Sequence, residues 1–137
     1  MNDKTIRSIF WALVAVFVII IVTMFVGVPL AGNFQLGFIA FPAWIVFLGL
    51  GVTLIVLTIK KKVGGKPKKL LLLTGSSAAG FLVFVLLHNV ISALFNVEEP
   101  VFFILATMVS PLGFLVGAVG TIVLIAKNKP DVPAETP

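Results

Sequence analysis

A short part of the chain, residues 88–99, holds most of the side chains that could do chemistry in an otherwise apolar sequence. His88 is the only histidine, and Asn89 and Ser92 follow it within about one helical turn. An ionisable side chain inside an apolar helix suggests a proton, ligand or quinone site. A neutral imidazole bonded to Ser92 or to a backbone carbonyl explains the same residues structurally. His88, Asn89 and Ser92 are therefore candidates for ligand or proton binding, or for a pore.

Metal, haem and catalytic sites are not expected. One histidine, no cysteine and no carboxylate inside the apolar stretches cannot supply a typical ligand set. The chain also lacks GxxxxGK[ST], HExxH, GxSxG and a pair of intramembrane aspartates. We expect no catalytic residue, no cofactor and no enzymatic activity.

Two acids and a proline complete the candidate set. Glu98 and Glu99 are the only acids away from the lysine-bearing parts of the chain. They could attract cations at an entrance, or they could lie in a solvated turn and compensate a helix dipole. Pro111 removes a backbone hydrogen bond to Thr107 and predicts a kink, with the hydroxyls of Ser110 and Thr107 available to the freed carbonyl. A gating hinge is the alternative for this proline.

The elements that position these residues follow from composition. Of 137 residues, 60% are hydrophobic and 11% are charged, with a mean hydropathy of +1.23. Four nearly uncharged stretches exceed the length needed to cross a bilayer of about 30 Å. The predicted fold is all-α, a polytopic membrane protein built as an antiparallel bundle of four transmembrane helices with short loops. The expected helices are residues 8–30, 38–59, 69–95 and 101–126, with a polar N-terminus at 1–7 and a disordered tail at 127–137.

Two further expectations concern the first and the second helix. The first apolar stretch is longer than the 7–15 residues of a signal-peptide core, so we expect an uncleaved first helix. Pro42 is expected in the first turn of the second helix, where the missing N–H is tolerated.

Charge predicts the orientation of the bundle. All ten positive charges fall on one side of the four predicted spans. The positive-inside rule therefore predicts a multi-pass protein with both termini in the cytoplasm, in a prokaryotic inner membrane. The net charge of +5 belongs to this topology and does not indicate nucleic-acid binding. Six of these charges lie between Gly51 and Leu70 and could also contact anionic lipids, namely Lys60, Lys61, Lys62, Lys66, Lys68 and Lys69.

Small residues in the fourth helix predict the main contact between helices. They recur at spacings of 4, 3, 4 and 3 residues, the 3.5-residue period of closely packed helices. The stripe consists of Ala106, Ser110, Gly113, Gly117 and Gly120. The small segment 75–80 of the third helix is expected to oppose it, with Ser76 and Gly80 in the same seam.

The segments FPAWIVFLGLGVTLIVLTIKKK (41–62) and EEPVFFILATMVSPLGFLVGAVGTIVLI (98–125) resemble small four-span prokaryotic membrane proteins of uncharacterised function. This resemblance implies a class and no mechanism. Small multidrug exporters are similar in span count, but their first-helix glutamate has no counterpart between Ser8 and Leu30. Fluoride channels are similar in their many phenylalanines, but their intramembrane arginine is missing here.

Together these features predict a non-enzymatic integral membrane protein that acts as an oligomer or as a packing partner in a membrane complex. Its expected partners are the lipid bilayer, anionic lipids, and further copies of itself or other membrane proteins. The alternative is a small channel or transporter whose path passes His88, Asn89, Ser92 and the kink at Pro111.

Overall fold

A computed structural model describes residues 3–23 and 35–127, with the backbone alone for 35–41. Helix α1 spans Lys4–Val22, α2 spans Gln35–Lys60 and α3 spans Gly65–Phe95. The fourth span is made of α4 (Pro100–Ile104), a π-helical segment (Leu105–Val109) and α5 (Ser110–Lys127). Within the described residues, four helices are long and apolar enough to cross a membrane, the fourth being the continuous span Pro100–Lys127. This finding confirms the predicted all-α bundle. We call the end with Lys60–Lys69 the lysine end and the end with Glu98 and Glu99 the glutamate end.

Helices α1 and α3 begin earlier than predicted. Helix α1 begins at Lys4, inside the expected polar lead, because Asp3 caps it by accepting hydrogen bonds from the N–H groups of Thr5 and Ile6. Helix α3 begins at Gly65, so three of the lysines expected in the loop lie on its first turns. The predicted end of the first helix and the tail 128–137 lie outside the described residues.

Pro42 is not in the first turn of its helix. Helix α2 begins at Gln35, so the proline lies inside the helix, about two turns from its start. The prediction was wrong because the helix was expected to begin at residue 38, and α2 begins three residues earlier.

The lysine end of α2 is closed by a Schellman motif. The N–H of Val63 donates to the carbonyl of Thr58, and the N–H of Lys62 donates to that of Ile59. Lys62 has φ 49°, the left-handed conformation that glycine usually supplies at this position. The turn therefore begins before Gly64 and Gly65, and Gly65, with φ 66°, then starts α3.

Helix α3 is the centre of the bundle because its small residues admit a neighbour on two sides. It packs against α2 on one side and against α5 on the other. On the α2 side the two backbones meet at Gly51 and Gly75: a β-carbon added to either would lie 2.9 Å from the carbonyl oxygen of the other. Lipid offers no hydrophobic drive between helices, so such close backbone approach supplies the dispersion contact. Gly49, two residues earlier on α2, has no atom within 4 Å of an added β-carbon.

The glycines of α5 lie against α3, but their partners differ from the predicted ones. An added β-carbon would lie 2.5 Å from the Ser77 hydroxyl at Gly113, and 2.5 Å from the Thr74 hydroxyl at Gly117. At Gly120 it would lie 2.8 Å from a methyl group of Leu70. The α3 side of this seam is therefore Leu70, Thr74 and Ser77.

Ser76 and Gly80 are not in that seam. The side chain of Ser76 is exposed and donates a hydrogen bond to the carbonyl of Leu73 in its own helix. The nearest atoms to an added β-carbon at Gly80 belong to Phe84, also of α3. The prediction failed because segment 75–80 is small all round, so side-chain size does not indicate which of its residues face α5.

Aromatic rings fill the middle of the bundle between α1, α2 and α5. Phe17 stacks on Phe114 with ring centroids 4.3 Å apart and lies 6.0 Å from Phe47. Phe17 belongs to a stripe on α1 with 4, 3, 4 and 3 spacing that faces the core. Stacked pairs of this kind contribute about 0.5–1.5 kcal/mol beyond the area they bury. The stripe consists of Ile6, Phe10, Leu13, Phe17 and Ile20.

Candidate functional site

A pocket of about 430 Å³ opens at the glutamate end of the bundle. His88 and Ser92 contribute to it from α3, and Phe103 contributes from α4. The connecting turn supplies Glu98, Glu99 and Pro100. Two residues singled out in the sequence, His88 and Ser92, are thus brought together with the two acids of the turn.

The turn is folded over His88 by caps on both helices that it joins. Asn96 ends α3 in the left-handed conformation, with φ 50°. Glu99 caps α4, and its two carboxylate oxygens accept hydrogen bonds from the N–H groups of Val101 and Phe102 at 2.9 and 2.8 Å. The backbone of Glu99 is thereby fixed in a position where its carbonyl reaches the imidazole.

The imidazole of His88 is oriented by that carbonyl. Its Nδ1 lies 2.7 Å from the carbonyl oxygen of Glu99. A carbonyl can only accept, so Nδ1 carries the hydrogen, and in the neutral imidazole Nε2 is then an acceptor. The ring lies beside Phe103, with centroids 5.5 Å apart. Of the two structural partners considered for His88, the backbone carbonyl is the one it contacts.

Ser92 lacks the hydrogen bond expected of a buried hydroxyl. Its Oγ is buried and, within residues 3–23 and 35–127, has no partner. Other hydroxyls in the bundle donate to carbonyls of their own helix, as Thr58, Thr74 and Thr121 do to residues four positions earlier. Among the buried side-chain oxygens and nitrogens of the described residues, Ser92 Oγ is therefore the one without a partner, and Ser92 lies in the wall of the pocket.

Asn89 and Pro111 lie away from this pocket. The amide of Asn89 is exposed and donates to the carbonyl of Val85 at 2.7 Å. Pro111 lines a second cavity, of about 50 Å³, together with Ser110 and Phe81. The two cavities share no lining residue.

The chain accommodates Pro111 with a π-helical segment. Leu105–Val109 is wound more loosely than an α-helix, and the N–H of Ser110 donates to the carbonyl of Leu105, five residues back. The Ser110 hydroxyl donates to the same carbonyl at 2.9 Å, and the Thr107 hydroxyl donates to Phe103. The expectation that these hydroxyls serve the Thr107 carbonyl is therefore wrong, because the extra residue in the turn shifts the bonding pattern.

Along α3, Phe84 and Phe81 lie between His88 of the pocket and Ser77 of the second cavity. Phe84 of α3 stacks with Phe102, with centroids 6.3 Å apart. One turn further, Phe81 stacks on Trp44 of α2 at 4.5 Å, with the ring planes within 11° of parallel. The polar lining of the pocket therefore gives way to aromatic residues toward the middle of the bundle.

The lysine end carries a separate group of charges. All six candidate lipid-contacting lysines are exposed. Lys61 forms an ion pair with Asp3, with 2.6 Å between Nζ and Oδ2, and so ties the start of α1 to the turn between α2 and α3. The hydrogen bond from Lys61, with smaller contributions from the N–H groups of Ile6 and Thr5, holds the pKa of the Asp3 carboxyl below its ordinary value.

Sequence reasoning did not connect Phe103 with His88, and for Glu99 it proposed compensation of the helix dipole, where the structure shows a hydrogen-bonded cap. The sequence does contain a periodic pattern that relates His88 to the fourth span. The residues of α3 that face the fourth span recur at spacings of 4, 3, 4, 3 and 4, and His88 is the last of them. The periodicity that predicts the stripe on α5 therefore also places His88 on the face of α3 that meets the start of the fourth span. The α3 residues at these spacings are Leu70, Thr74, Ser77, Phe81, Phe84 and His88.

Metal chemistry has no geometric support among the described residues. Over residues 3–23 and 35–127, no group of three or more His, Asp or Glu side chains is placed to hold a metal ion. Comparison of the chain with protein-family models, with curated proteins and with solved structures finds no match.

Proposed function

We propose that this protein is a non-enzymatic integral membrane protein that acts by associating with other transmembrane helices, as an oligomer or as a subunit of a membrane complex. The observation that carries this proposal is an unused packing face on α3. Its residues have the spacing of 3, 4, 3 and 4 that is typical of helix contacts, and two of them are small. The α3 outer face consists of Leu73, Ser76, Gly80, Val83 and Leu87.

This face is open in the single chain. The exposed fractions of Leu73, Val83 and Leu87 are 37%, 44% and 37%. Ser76 is exposed and Gly80 is half-buried. Small residues in the middle of a lipid-facing helix let a second backbone approach closely, which is the main source of attraction between helices in a bilayer. The glycine stripe of α5 is already used inside the chain, so the α3 outer face is the better surface for a partner.

The alternative, a small channel or transporter, has one observation in its favour. The pocket at the glutamate end gives His88 an opening toward the surface. Against it, the residues of α3 that follow His88 toward the middle of the bundle are in aromatic pairs, Phe84 with Phe102 and Phe81 with Trp44, and Trp44 and Phe81 line the cavity at Pro111. Aromatic surroundings at this position favour a packing function over a continuous polar path.

The proposal also includes the orientation of the bundle in the membrane. We infer that the lysine end faces the cytoplasm of a prokaryotic cell, because the excess of lysine and arginine sets the direction of insertion. The exposed lysines can then contact anionic lipids, each contributing about 1 kcal/mol near a charged surface. Lys66, Lys68 and Lys69 lie on the first turns of α3, where a helix dipole disfavours cations, so a lipid phosphate nearby would relieve that repulsion.

The proposal is tested by measuring the mass of the assembly in mild detergent by light scattering. Wild-type protein is expected to associate, and Ser76→Leu is expected to weaken association by blocking the close approach of a second backbone. Thr53→Leu is the matched control, since Thr53 is an exposed hydroxyl on α2 that also bonds a carbonyl of its own helix. A wild-type protein that is monomeric and brings no membrane protein with it would refute the proposal. Equal association of the two variants would refute the assignment to α3.

A further inference from the structure

We propose that the pocket at the glutamate end binds a primary ammonium group, the chemistry shared by small free amines and by the headgroup of phosphatidylethanolamine. This inference does not depend on the proposed function. It rests on which polar atoms of the pocket are already used by the fold and which remain for a ligand.

The acceptors that remain are His88 Nε2 and the carboxylate of Glu98. The Nδ1–H of His88 is used by the Glu99 carbonyl, which leaves the lone pair of Nε2 for a donor. Both carboxylate oxygens of Glu99 are used by the start of α4. Glu98 is exposed in the pocket wall and, in the described part of the chain, forms no ion pair. A ligand for this pair of acceptors must bring N–H donors and a positive charge.

The hydroxyl of Ser92 adds a third polar group to the same wall. It is the buried hydroxyl without a partner within residues 3–23 and 35–127. In the observed rotamer this oxygen has almost no accessible surface. An unsatisfied buried polar group costs about 1–3 kcal/mol, so rotation of the hydroxyl toward a ligand in the pocket would be favoured by removing that cost. A primary ammonium has three N–H donors, which matches one imidazole nitrogen, one carboxylate and one hydroxyl.

The surrounding charge also favours a cation. No lysine or arginine occurs between residues 8 and 59 or between residues 70 and 126. Within residues 3–23 and 35–127 the positive side chains therefore lie at the opposite end of the bundle, and Glu98 has no competing cation near it in these segments. The ring of Phe103 forms an apolar wall beside His88, and an aromatic face also attracts a cation.

The dimensions of the pocket fit a small amine or a lipid headgroup. A volume of about 430 Å³ lies in the usual range of small-molecule sites. His88 is seven residues from the end of α3 at Phe95, a distance of about 10 Å along the helix axis. A pocket at this depth can be reached from the headgroup layer as well as from the water.

Because His88 is the only histidine, its imidazole can be observed alone. The full chain, labelled with ¹⁵N-histidine, is placed in phosphatidylcholine nanodiscs and titrated with ethylammonium chloride while the Nε2 signal is followed by NMR. We expect a saturable shift of Nε2. Tetramethylammonium chloride, at the same ionic strength, has the charge without N–H donors and is expected to cause no saturable shift.

Two variants separate the site from its surroundings. Glu98→Gln removes the charge from an exposed side chain and is expected to weaken ethylammonium binding by about tenfold. Asn89→Ala changes the neighbour that lies outside the pocket and is expected to bind as the wild type does. Thermal unfolding of both variants shows that they are folded. The site is refuted if ethylammonium gives no saturable shift, if tetramethylammonium acts equally, or if Glu98→Gln binds like the wild type.

A comparison of two lipid compositions distinguishes a lipid headgroup from a free amine as the natural ligand. In nanodiscs that contain phosphatidylethanolamine, a headgroup ligand is expected to shift the Nε2 signal before any amine is added, and to leave a smaller response to ethylammonium. A free amine as the natural ligand predicts the same Nε2 signal in both kinds of nanodisc before titration. Either result supports the ammonium site and names its occupant, provided that the ethylammonium shift is observed in phosphatidylcholine.

Discussion

Replacing Gly117 by alanine tests the central contact of the bundle, because the space for one methyl group is taken by backbone. An added β-carbon would lie 2.5 Å from the hydroxyl of Thr74, 2.8 Å from the backbone nitrogen of Thr74 and 3.0 Å from the carbonyl oxygen of Leu70. The hydroxyl can rotate away, but the two backbone atoms move only if α3 and α5 separate. Overpacking of this kind costs about 1–3 kcal/mol, and more where backbone must shift.

The matched control is Gly49→Ala on α2. A β-carbon at Gly49 has no atom within 4 Å, so the change is sterically free. Both substitutions gain the same helix propensity, about 1 kcal/mol for Gly to Ala in a helix interior. The propensity gain cancels when the two variants are compared, and their difference in the free energy of unfolding equals the steric cost at Gly117. We expect Gly49→Ala to be the more stable variant by about 1–3 kcal/mol or more.

The assay is reversible unfolding in mixed detergent micelles, with SDS as denaturant and helicity followed by circular dichroism. A second substitution, Thr74→Ala, removes the 2.5 Å contact and is expected to recover part of the loss in the Gly117→Ala background. The backbone contacts remain, so recovery is incomplete. Equal unfolding midpoints for Gly117→Ala and Gly49→Ala would show that α3 and α5 do not meet at this glycine.

Three further outcomes are expected. Gly75→Ala should also lower the unfolding midpoint, since its β-carbon would lie 2.9 Å from the carbonyl oxygen of Gly51; a midpoint equal to wild type would contradict this backbone contact. Lys62→Gly should raise stability by about 1 kcal/mol in the same assay, because glycine adopts the left-handed φ of 49° without strain; a loss of stability would mean that the Lys62 side chain matters more than its backbone. Asp3→Asn should unfold earlier than wild type at neutral pH. The ion pair with Lys61 lowers the pKa of Asp3, so its stabilisation is complete above the ordinary value of 3.8 and is lost as the pH falls through the lowered pKa; the two unfolding midpoints should therefore converge in acid, and a constant difference would exclude this linkage.

Much of the fold was predictable because it depends on composition and on one-dimensional spacing. Helix α1 carries its stripe of core residues at regular intervals, and the glycines of α5 recur with the same period. A period of 3.5 residues places side chains on one face of a helix whatever lies opposite. The stripe on α5 was therefore identified correctly as small and continuous, and Gly113, Gly117 and Gly120 do meet another helix.

The opposing residues were not predictable in the same way. Segment 75–80 of α3 consists entirely of small residues, so Ser76 and Ser77 are equivalent in size and differ only in direction. The rotation of α3 is fixed by two contacts at once, with Gly51 of α2 and with Gly117 of α5. That rotation turns Ser77 toward α5 and leaves Ser76 exposed.

The candidate site was also predictable from the sequence only in part. The sequence identified His88 and Ser92 as unusual, because polar groups are costly inside an apolar helix. It did not predict that the imidazole would meet the carbonyl of Glu99, 11 residues later. That contact requires the cap of Glu99 on α4 and the left-handed Asn96 to fold the turn over the ring. Asn89 was included because it is next to His88 in sequence, but adjacent helical residues point about 100° apart.

The sequence by itself determined the class of this protein, the number of its apolar spans and the concentration of positive charge at one side of them. These properties follow from hydropathy and charge, which add along the chain without reference to contacts. The tertiary structure decided which face of each helix meets a neighbour, how Pro111 is accommodated, and that His88 and Pro111 lie in separate cavities. In a bilayer every apolar face is equally compatible with its surroundings, so hydropathy cannot select among them. Backbone approach at glycines and the satisfaction of polar groups make that selection, and both depend on residues from different helices.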